Sequence, residues 1–290
     1  TGKGVAGPFN HDDQVIHVDF SPDSKYVLTA SRDRTARVWE AGTGSTQVGK
    51  TMQHGLPVNF IMASPNARWV VTASDDRTAR LWELATGKPV LEPIKMDGPV
   101  KTARFSRDGK RVVVASADKT AQIWTAVSGK PLVDPFGHDH FVSFASFSPD
   151  GKYVVTASDD RTARVWDVAT GQPVTERLRH DNRVLYAAFS PDGKRVATGS
   201  EDRKARVWEV ATSKVVVGPL DHDSWVTMIS YSPDGRHLLT ASQDRTARIW
   251  DAATGKPLHA KPLQHSSYVS SAVFSADGKL VLTASIDSRA

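Results

Sequence analysis

The sequence of 290 residues contains no cysteine, which excludes disulfides, thiolate metal sites and cysteine nucleophiles. This composition fits a reducing compartment, and we expect a cytoplasmic location. No apolar run approaches the length of a membrane helix, so we expect no membrane span. The chain begins at Thr1 rather than at a methionine, which leaves open whether a targeting segment precedes it.

The signatures of common catalytic sites are also missing. There is no glycine-rich phosphate loop, no G-x-S-x-G turn and no H-E-x-x-H helix. His138 and His140 form an H-x-H pair, but no further metal ligand lies nearby in the sequence, so we interpret both as structural or solvated. We therefore expect a non-enzymatic protein without a cofactor.

The charge is basic but evenly scattered. The formal net charge is +5, yet no run of five or more basic residues occurs. A nucleic-acid partner is therefore not expected, because such proteins cluster their lysines and arginines on one patch.

Tryptophan recurs at a fixed spacing of 42 or 43 residues. The positions are Trp39, Trp82, Trp124, Trp166, Trp208 and Trp250. A period of this length indicates a repeat architecture. The repeats begin near residues 11, 54, 96, 138, 180, 222 and 265.

Each repeat reads as short strands joined by turns. In the fourth, residues 141–147 and 153–158 are rich in β-branched and aromatic residues, and "SPDG" between them predicts a hairpin turn. A second turn leads to "TARVWD", and "ATGQP" turns the chain into a strand over residues 174–177. The repeat therefore predicts a four-stranded antiparallel sheet.

A His before the first strand, an Asp in the second turn and Trp-Asp or Trp-Glu at the end of the third strand resemble the WD repeat of β-propellers. The resemblance covers the whole chain. It implies an all-β, seven-bladed WD40-type propeller as a single domain over residues 1–290. The near-identity of the copies resembles the repeat arrays of large bacterial multidomain proteins.

The resemblance also implies a buried hydrogen-bonded tetrad of His, Ser, Asp and Trp in each blade. The complete sets are His11, Ser31, Asp33, Trp39; His54, Ser74, Asp76, Trp82; His138, Ser158, Asp160, Trp166; His180, Ser200, Asp202, Trp208; and His222, Ser242, Asp244, Trp250. The third blade keeps Ser116, Asp118 and Trp124 but has Met96 in place of the His. The seventh has His265, Ser285 and Asp287 without a Trp.

The two ends of the chain fall within one repeat. Aligned on the repeat, Ala290 is equivalent to Ala247 and Thr1 to Thr254, so residues 1–9 are expected to form the outer strand of the last blade. That blade then lacks most of its third strand. Since an unpaired edge strand invites aggregation, we expect the chain to be one module of a longer polypeptide; a ring with an open edge is the alternative.

Positions that differ between copies are the candidates for a specific surface. In propellers of this family the third residue after the His lies on the top face near the channel, and here it reads Gln14, Pro57, Pro99, Phe141, Arg183, Trp225 and Tyr268. Together with the fifth residue after the His and the residue before the tetrad Asp, these positions suggest a partner-binding arc. Its members are Phe141, Arg183, Leu185, Trp225, Tyr268, Asp159 and Glu201.

The expected function is a non-catalytic scaffold that binds a protein or peptide through this arc, because aromatic and arginine side chains anchor many interfaces. The alternative for the arc is that its side chains merely pack against one another. Two other functions stay open: an enzyme or ligand site in the central channel, and binding of an anionic surface or nucleic acid by a basic rim. The rim residues are Lys25, Lys88, Lys110, Lys130, Lys152, Lys194, Arg236, Lys256 and Lys279.

Overall fold

A computed structural model describes residues 8–43 and 46–286, which contain β-strands and no helix. The first twelve strands are β1 (Val15–Phe20), β2 (Tyr26–Ser31), β3 (Thr35–Glu40), β4 (Gln47–Gln53), β5 (Val58–Ala63), β6 (Trp69–Ser74), β7 (Thr78–Glu83), β8 (Ile94–Lys95), β9 (Val100–Phe105), β10 (Arg111–Ser116), β11 (Thr120–Thr125) and β12 (Phe136–Gly137). The others are β13 (Val142–Phe147), β14 (Tyr153–Ser158), β15 (Thr162–Asp167), β16 (Leu178–Arg179), β17 (Val184–Phe189), β18 (Arg195–Ser200), β19 (Lys204–Glu209), β20 (Val215–Asp221), β21 (Val226–Tyr231), β22 (His237–Ser242), β23 (Thr246–Asp251), β24 (Leu263–Gln264), β25 (Val269–Phe274) and β26 (Val281–Ser285).

Consecutive strands form seven separate sheets, which we call blades 1–7 in chain order. Blades 1–6 each contain four antiparallel strands in sequence order, and blade 7 contains two in the described part of the chain. The predicted fold class is confirmed: the described residues form an all-β structure with four-stranded antiparallel blades and a last blade that contains two strands. The expected N-terminal strand lies outside the described residues, apart from Pro8 and Phe9.

The blades fall into two compact units. Blades 1–3 belong to the first unit, which ends at Gly137, and blades 4–7 to the second, which begins at His138. In the first unit, Leu28 and Val38 of blade 1 pack in one buried cluster with Ile61 of blade 2. In the second, Leu239 of blade 6 packs with Ala272 of blade 7. Each fully buried leucine of this kind contributes about 1.5–3 kcal/mol to stability.

The first hairpin of each blade is closed by side chains of its turn. In blade 4, Ser148 Oγ donates to Asp150 Oδ1 at 2.6 Å, and the same oxygen accepts the Lys152 amide at 3.1 Å. Gly151 has φ +69°, a conformation that glycine adopts without steric cost. The motif "SPDG" therefore turns the chain at this place, as its residue types predict.

The first strand of every described blade carries a β-bulge at the same position. In blade 4, Val142 pairs with Ser158 and Phe144 with Ala157, which leaves Ser143 as the extra residue. The bulged residues are Ile16, Asn59, Lys101, Ser143, Leu185, Thr227 and Ser270. Bulges redirect a side chain out of the regular ladder, so this register places the fifth residue after each His in a special orientation.

Candidate functional site

A hydrogen-bonded relay runs through the interior of blade 4. His138 Nδ1 lies 2.8 Å from Asp160 Oδ2, and His138 Nε2 lies 2.8 Å from Thr156 Oγ1. Trp166 Nε1 donates to the same threonine oxygen at 2.9 Å. The Thr156 hydroxyl thus joins the histidine to the tryptophan, and it is the centre of the network.

The donors and acceptors of this relay are compatible with one neutral tautomer of the histidine ring. The Trp166 indole can only donate, so Thr156 Oγ1 accepts from it, and the Thr156 hydrogen can be directed at His138 Nε2 or at the Arg164 carbonyl, which is 3.4 Å away. A nitrogen that accepts carries no proton, and the proton of the neutral ring is then on Nδ1, directed at the Asp160 carboxylate. One neutral histidine tautomer therefore satisfies all three partners.

The same relay recurs in blades 1, 2, 5 and 6. Its His, Thr, Asp and Trp are His11, Thr29, Asp33, Trp39; His54, Thr72, Asp76, Trp82; His180, Thr198, Asp202, Trp208; and His222, Thr240, Asp244, Trp250. In blade 7, His265 Nε2 lies 2.8 Å from Thr283 Oγ1, and Asp287 lies outside the described residues.

The serine assigned to the tetrad has a different place from the one predicted. Ser158 Oγ accepts the Asp160 amide at 3.0 Å and donates to the His140 carbonyl at 3.1 Å, so it joins neither the His138 ring nor Trp166. Each of the other predicted serines bonds in the same way to a carbonyl shortly after the His: Ser31, Ser74, Ser116, Ser200, Ser242 and Ser285. The relay hydroxyl belongs to the Thr two residues earlier, which the recurring "TAS" or "TGS" could have suggested.

Blade 3 replaces the relay by apolar packing. Met96 stands in place of the His and Val114 in place of the Thr, and both pack in one hydrophobic cluster with Trp124. Trp124 Nε1 is buried and has no hydrogen-bond partner among the described residues. Asp118 keeps its turn contacts, because its Oδ1 accepts the amide and the hydroxyl of Thr120.

The relay shifts the pKa values of its ionisable groups. Burial alone raises the pKa of the aspartates, but hydrogen bonds from the His ring and the following turn outweigh it and hold the pKa low, at about 2 for Asp33. The pKa values of Asp76, Asp160, Asp202 and Asp244 are lowered as well. Burial lowers the pKa of His54 and His180 against the opposing effect of their aspartates. These pairs favour a charged aspartate beside a neutral histidine.

One end of each blade gathers the positions that differ between repeats, and we call it the variable end. There the carbonyl of the third residue after the His accepts the amide of the residue before the relay Asp. These pairs are Gln14 and Arg32, Pro57 and Asp75, Pro99 and Ala117, Phe141 and Asp159, Arg183 and Glu201, Trp225 and Gln243, and Tyr268 and Ile286. The bulged residue follows two positions later, so all three variable positions lie together in every blade.

The predicted arc lies at the variable ends of blades 4–7, within the second unit. Phe141, Trp225 and Tyr268 keep 42%, 41% and 50% of their surface exposed, while Leu185 at its bulge is half-buried. No ring contact joins the three aromatic residues to one another in residues 8–43 and 46–286; Phe141 instead contacts His140 with tilted rings, whose centroids are 4.5 Å apart. The three aromatic side chains therefore do not pack on one another in the described residues, whereas the charged members of the arc lie near one another.

Arg183 lies between the two acidic members of the arc. Its Nη1 is 3.8 Å from Asp159 Oδ2 of blade 4, and its Nε is 3.9 Å from Glu201 Oε2 of blade 5. Both distances exceed those of hydrogen bonds. Asp159 also accepts the Ser143 hydroxyl at 2.8 Å. Burial raises the pKa of Glu201. The positive charge of Arg183 lowers this pKa, and the negative charge of Asp159 raises it.

The H-x-H pair divides between two roles. Both ring nitrogens of His138 are engaged in the relay, whereas His140 is exposed, with Nδ1 3.8 Å from Asp159 Oδ2. The described part of the chain contains no group of three or more His, Asp or Glu residues that could hold a metal ion.

The nine predicted rim residues lie on the hairpin turns at the opposite end of their blades, and all are exposed. Two of their side chains form long ion pairs with turn aspartates: Lys25 with Asp23 and Lys279 with Asp277, each at 3.8 Å. Pairs of this kind contribute little to stability, so these lysines are available to solvent.

The described residues include no helix that is long and apolar enough to cross a membrane. A comparison with curated proteins found no match. The profile of the WD40 family, described as WD domain, G-beta repeat, matches residues 6–40, 45–83, 92–125, 129–167, 171–209, 215–251 and 255–290. These seven matches cover most of the chain and identify the sheets as blades of a seven-bladed WD40-type β-propeller. The chain therefore belongs to the WD40 repeat family.

Proposed function

We propose that this protein is a non-catalytic scaffold that binds a protein or peptide partner through the variable ends of blades 4–7. WD40 proteins are generally non-enzymatic scaffolds that bind protein partners. The finer assignment rests on one observation: three exposed aromatic side chains, Phe141, Trp225 and Tyr268, occupy one repeat position in blades 4, 6 and 7.

The framework beneath these residues supports binding. The Arg183 carbonyl accepts the Glu201 amide at 2.9 Å and the Ser200 hydroxyl at 2.8 Å, and a buried relay lies directly behind. Similar bonds hold the other variable ends. A surface held in place before the partner arrives loses little conformational entropy on binding, which raises affinity.

The residue types suit an interface. Trp, Tyr and Arg are the side chains that most often contribute about 2 kcal/mol or more to binding when a partner excludes water from them. Trp225 and Tyr268 belong to the third and fourth of four successive blades that carry large residues at this position, after Phe141 and Arg183. The sequence differences among blades 4–7 therefore provide a surface that the repeat itself does not require.

The proposal is tested with a random 12-residue peptide library displayed on phage and selected on the immobilised protein. The affinity of each enriched peptide is then measured for Trp225→Ala and Tyr268→Ala. We expect losses of about tenfold or more for at least one of them. Gln14→Ala is the matched control, because Gln14 occupies the same repeat position in blade 1 and should leave the affinity unchanged. Peptides that bind all variants equally would place the binding surface elsewhere.

A further inference from the structure

The acidic residues that directly precede the relay Asp differ in how many hydrogen bonds and ion pairs their carboxylates receive from the rest of the chain. Asp75 of blade 2 accepts the Asn59 side-chain amide at 2.7 Å, from the bulge of its own blade. It also accepts the Lys101 ammonium at 3.0 Å, from the bulge of the next blade. An acid at this repeat position is thus paired by two neighbouring bulges, and one of them supplies a cation.

Glu201 occupies the same repeat position in blade 5 without those donors. The bulged residue of its own blade is Leu185, which has no polar atom in its side chain. The bulged residue of the next blade is Thr227, whose hydroxyl lies within hydrogen-bond distance of the carbonyls of Ala241 and Val269. The Glu201 side chain has no hydrogen bond to another described residue.

The Glu201 side chain is nevertheless mostly withdrawn from water. The side chain of Glu201 is 8% exposed, and its nearest cation is Arg183 Nε at 3.9 Å. A buried carboxylate is costly unless it is paired and hydrogen-bonded. Arg183 is shared with Asp159, so one guanidinium faces two carboxylates at distances too long for hydrogen bonds.

Trp225 and Glu201 stand in the same repeat relation as Arg183 and Asp159. Arg183 of blade 5 lies near Asp159 of blade 4. One blade later in the chain, Trp225 of blade 6 occupies the repeat position of Arg183, and Glu201 of blade 5 occupies the repeat position of Asp159. From this repeat relation we infer that the exposed Trp225 indole lies next to the Glu201 carboxylate, where the ring face and the charge would attract a cation together.

We propose that Glu201 accepts the ammonium or guanidinium of a lysine or arginine in the partner, with Trp225 lying against the same side chain. The contact reproduces between two molecules the pairing that Lys101 and Asp75 make within the chain. This inference rests on the proposed function and adds the chemistry of the partner, which is a segment carrying a basic residue.

The two substitutions that test the charge act on opposite sides of the same contact. Glu201→Gln removes the acceptor charge, and Thr227→Lys introduces at the next bulge the cation that Lys101 provides for Asp75. Both substitutions should weaken the binding of a basic peptide. Arg183→Gln removes a competing cation and should strengthen it. An acidic partner reverses all three signs, which makes the direction of change diagnostic.

The experiment uses the most enriched peptide of the 12-residue phage library and its variants with each Lys or Arg replaced by Gln, measured by fluorescence anisotropy. We expect one such replacement to reduce affinity by about tenfold or more, with little further loss when it is combined with Glu201→Gln. Asp75→Asn is the matched control, an acid at the same repeat position in blade 2, and should leave the affinity unchanged. Circular dichroism melts confirm that each variant is folded.

The outcomes separate the two proposals. Affinity that depends on Trp225 but not on Glu201, or that falls with Arg183→Gln, would overturn the basic-partner inference and leave the proposed function standing. Enriched peptides indifferent to Trp225, Tyr268 and Glu201 would overturn both.

Discussion

Trp166 Nε1 donates a hydrogen bond of 2.9 Å to Thr156 Oγ1 in the interior of blade 4. This contact places a threonine, rather than the neighbouring serine, at the centre of each complete relay. The protein therefore contains two kinds of residue: the relay residues, which recur in most blades, and the residues of the variable ends, which differ between blades.

The first prediction concerns the relay hydroxyl. Thr156→Val leaves the Trp166 indole and His138 Nε2 without their shared partner, so we expect a loss of about 1–3 kcal/mol in the free energy of unfolding. Thr156→Ser keeps a hydroxyl and should cost less. Urea denaturation of both variants checks the difference, and a loss for Thr156→Ser larger than that for Thr156→Val would show that the methyl group stabilises this site more than the hydroxyl does.

Blade 3 offers the reverse experiment. Met96→His or Val114→Thr alone buries a polar group without its full set of partners, and each should be destabilising by about 1–3 kcal/mol. The double variant rebuilds a relay with Asp118 and Trp124. Its loss in the free energy of unfolding should therefore be smaller than the sum of the two single losses by about 1 kcal/mol or more. A double-mutant cycle in urea measures this coupling. Additive effects would mean that the blade 3 backbone cannot accommodate a relay.

The relay also predicts how stability depends on pH. The pKa of His54 and His180 is lower in the folded protein than the ordinary 6.5, so the unfolded chain binds more protons as the pH falls below that value. Stability is then fully present above about pH 6.5 and decreases towards pH 5. The low pKa of Asp33, about 2, adds a further loss below about pH 4.

Thermal melts between pH 8 and pH 4 at constant ionic strength measure this profile. His54→Gln should flatten the decrease between pH 7 and pH 5, because the amide does not titrate in that range. A melting temperature that rises as the pH falls from 7 to 5 would contradict the neutral-histidine assignment.

Two tryptophans should respond differently to truncation. Trp166 is buried and hydrogen-bonded, so Trp166→Ala should destabilise the fold by about 3–5 kcal/mol. Trp225 is 41% exposed, and Trp225→Ala should cost less than about 1 kcal/mol. Chemical denaturation compares them. Equal losses would mean that Trp225 is a structural residue.

Much of the fold could be predicted from the sequence, because each strand and turn depends on local residue types that recur in every copy. The relay threonine could not be chosen in the same way, since "TAS" places two hydroxyls on the same side of the strand. Register decides between them: Trp166 lies opposite Val154, so Thr156, two residues along, is within its reach and Ser158, four residues along, is not.

The variable end shows a second limit of sequence reasoning. Differences between copies were enough to select the fifth residue after the His, but the bulge that redirects Leu185 and Thr227 is a property of the backbone pairing. The contrast between Glu201 and Asp75 likewise required distances across neighbouring blades. The position in the repeat predicts which residues lie at the variable end, whereas the pairing of each charged side chain depends on the residues of the adjacent blade.

The most direct test of this account is the affinity of a library-selected peptide for the protein carrying both Trp225→Ala and Tyr268→Ala, measured together with the melting temperature of the same sample. The account predicts that binding falls by more than about tenfold while the melting temperature changes by less than about 2 °C. Unchanged binding, with a loss instead when Lys152, Lys194 and Lys256 are replaced by alanine, would place the interface at the opposite end of the blades and contradict it.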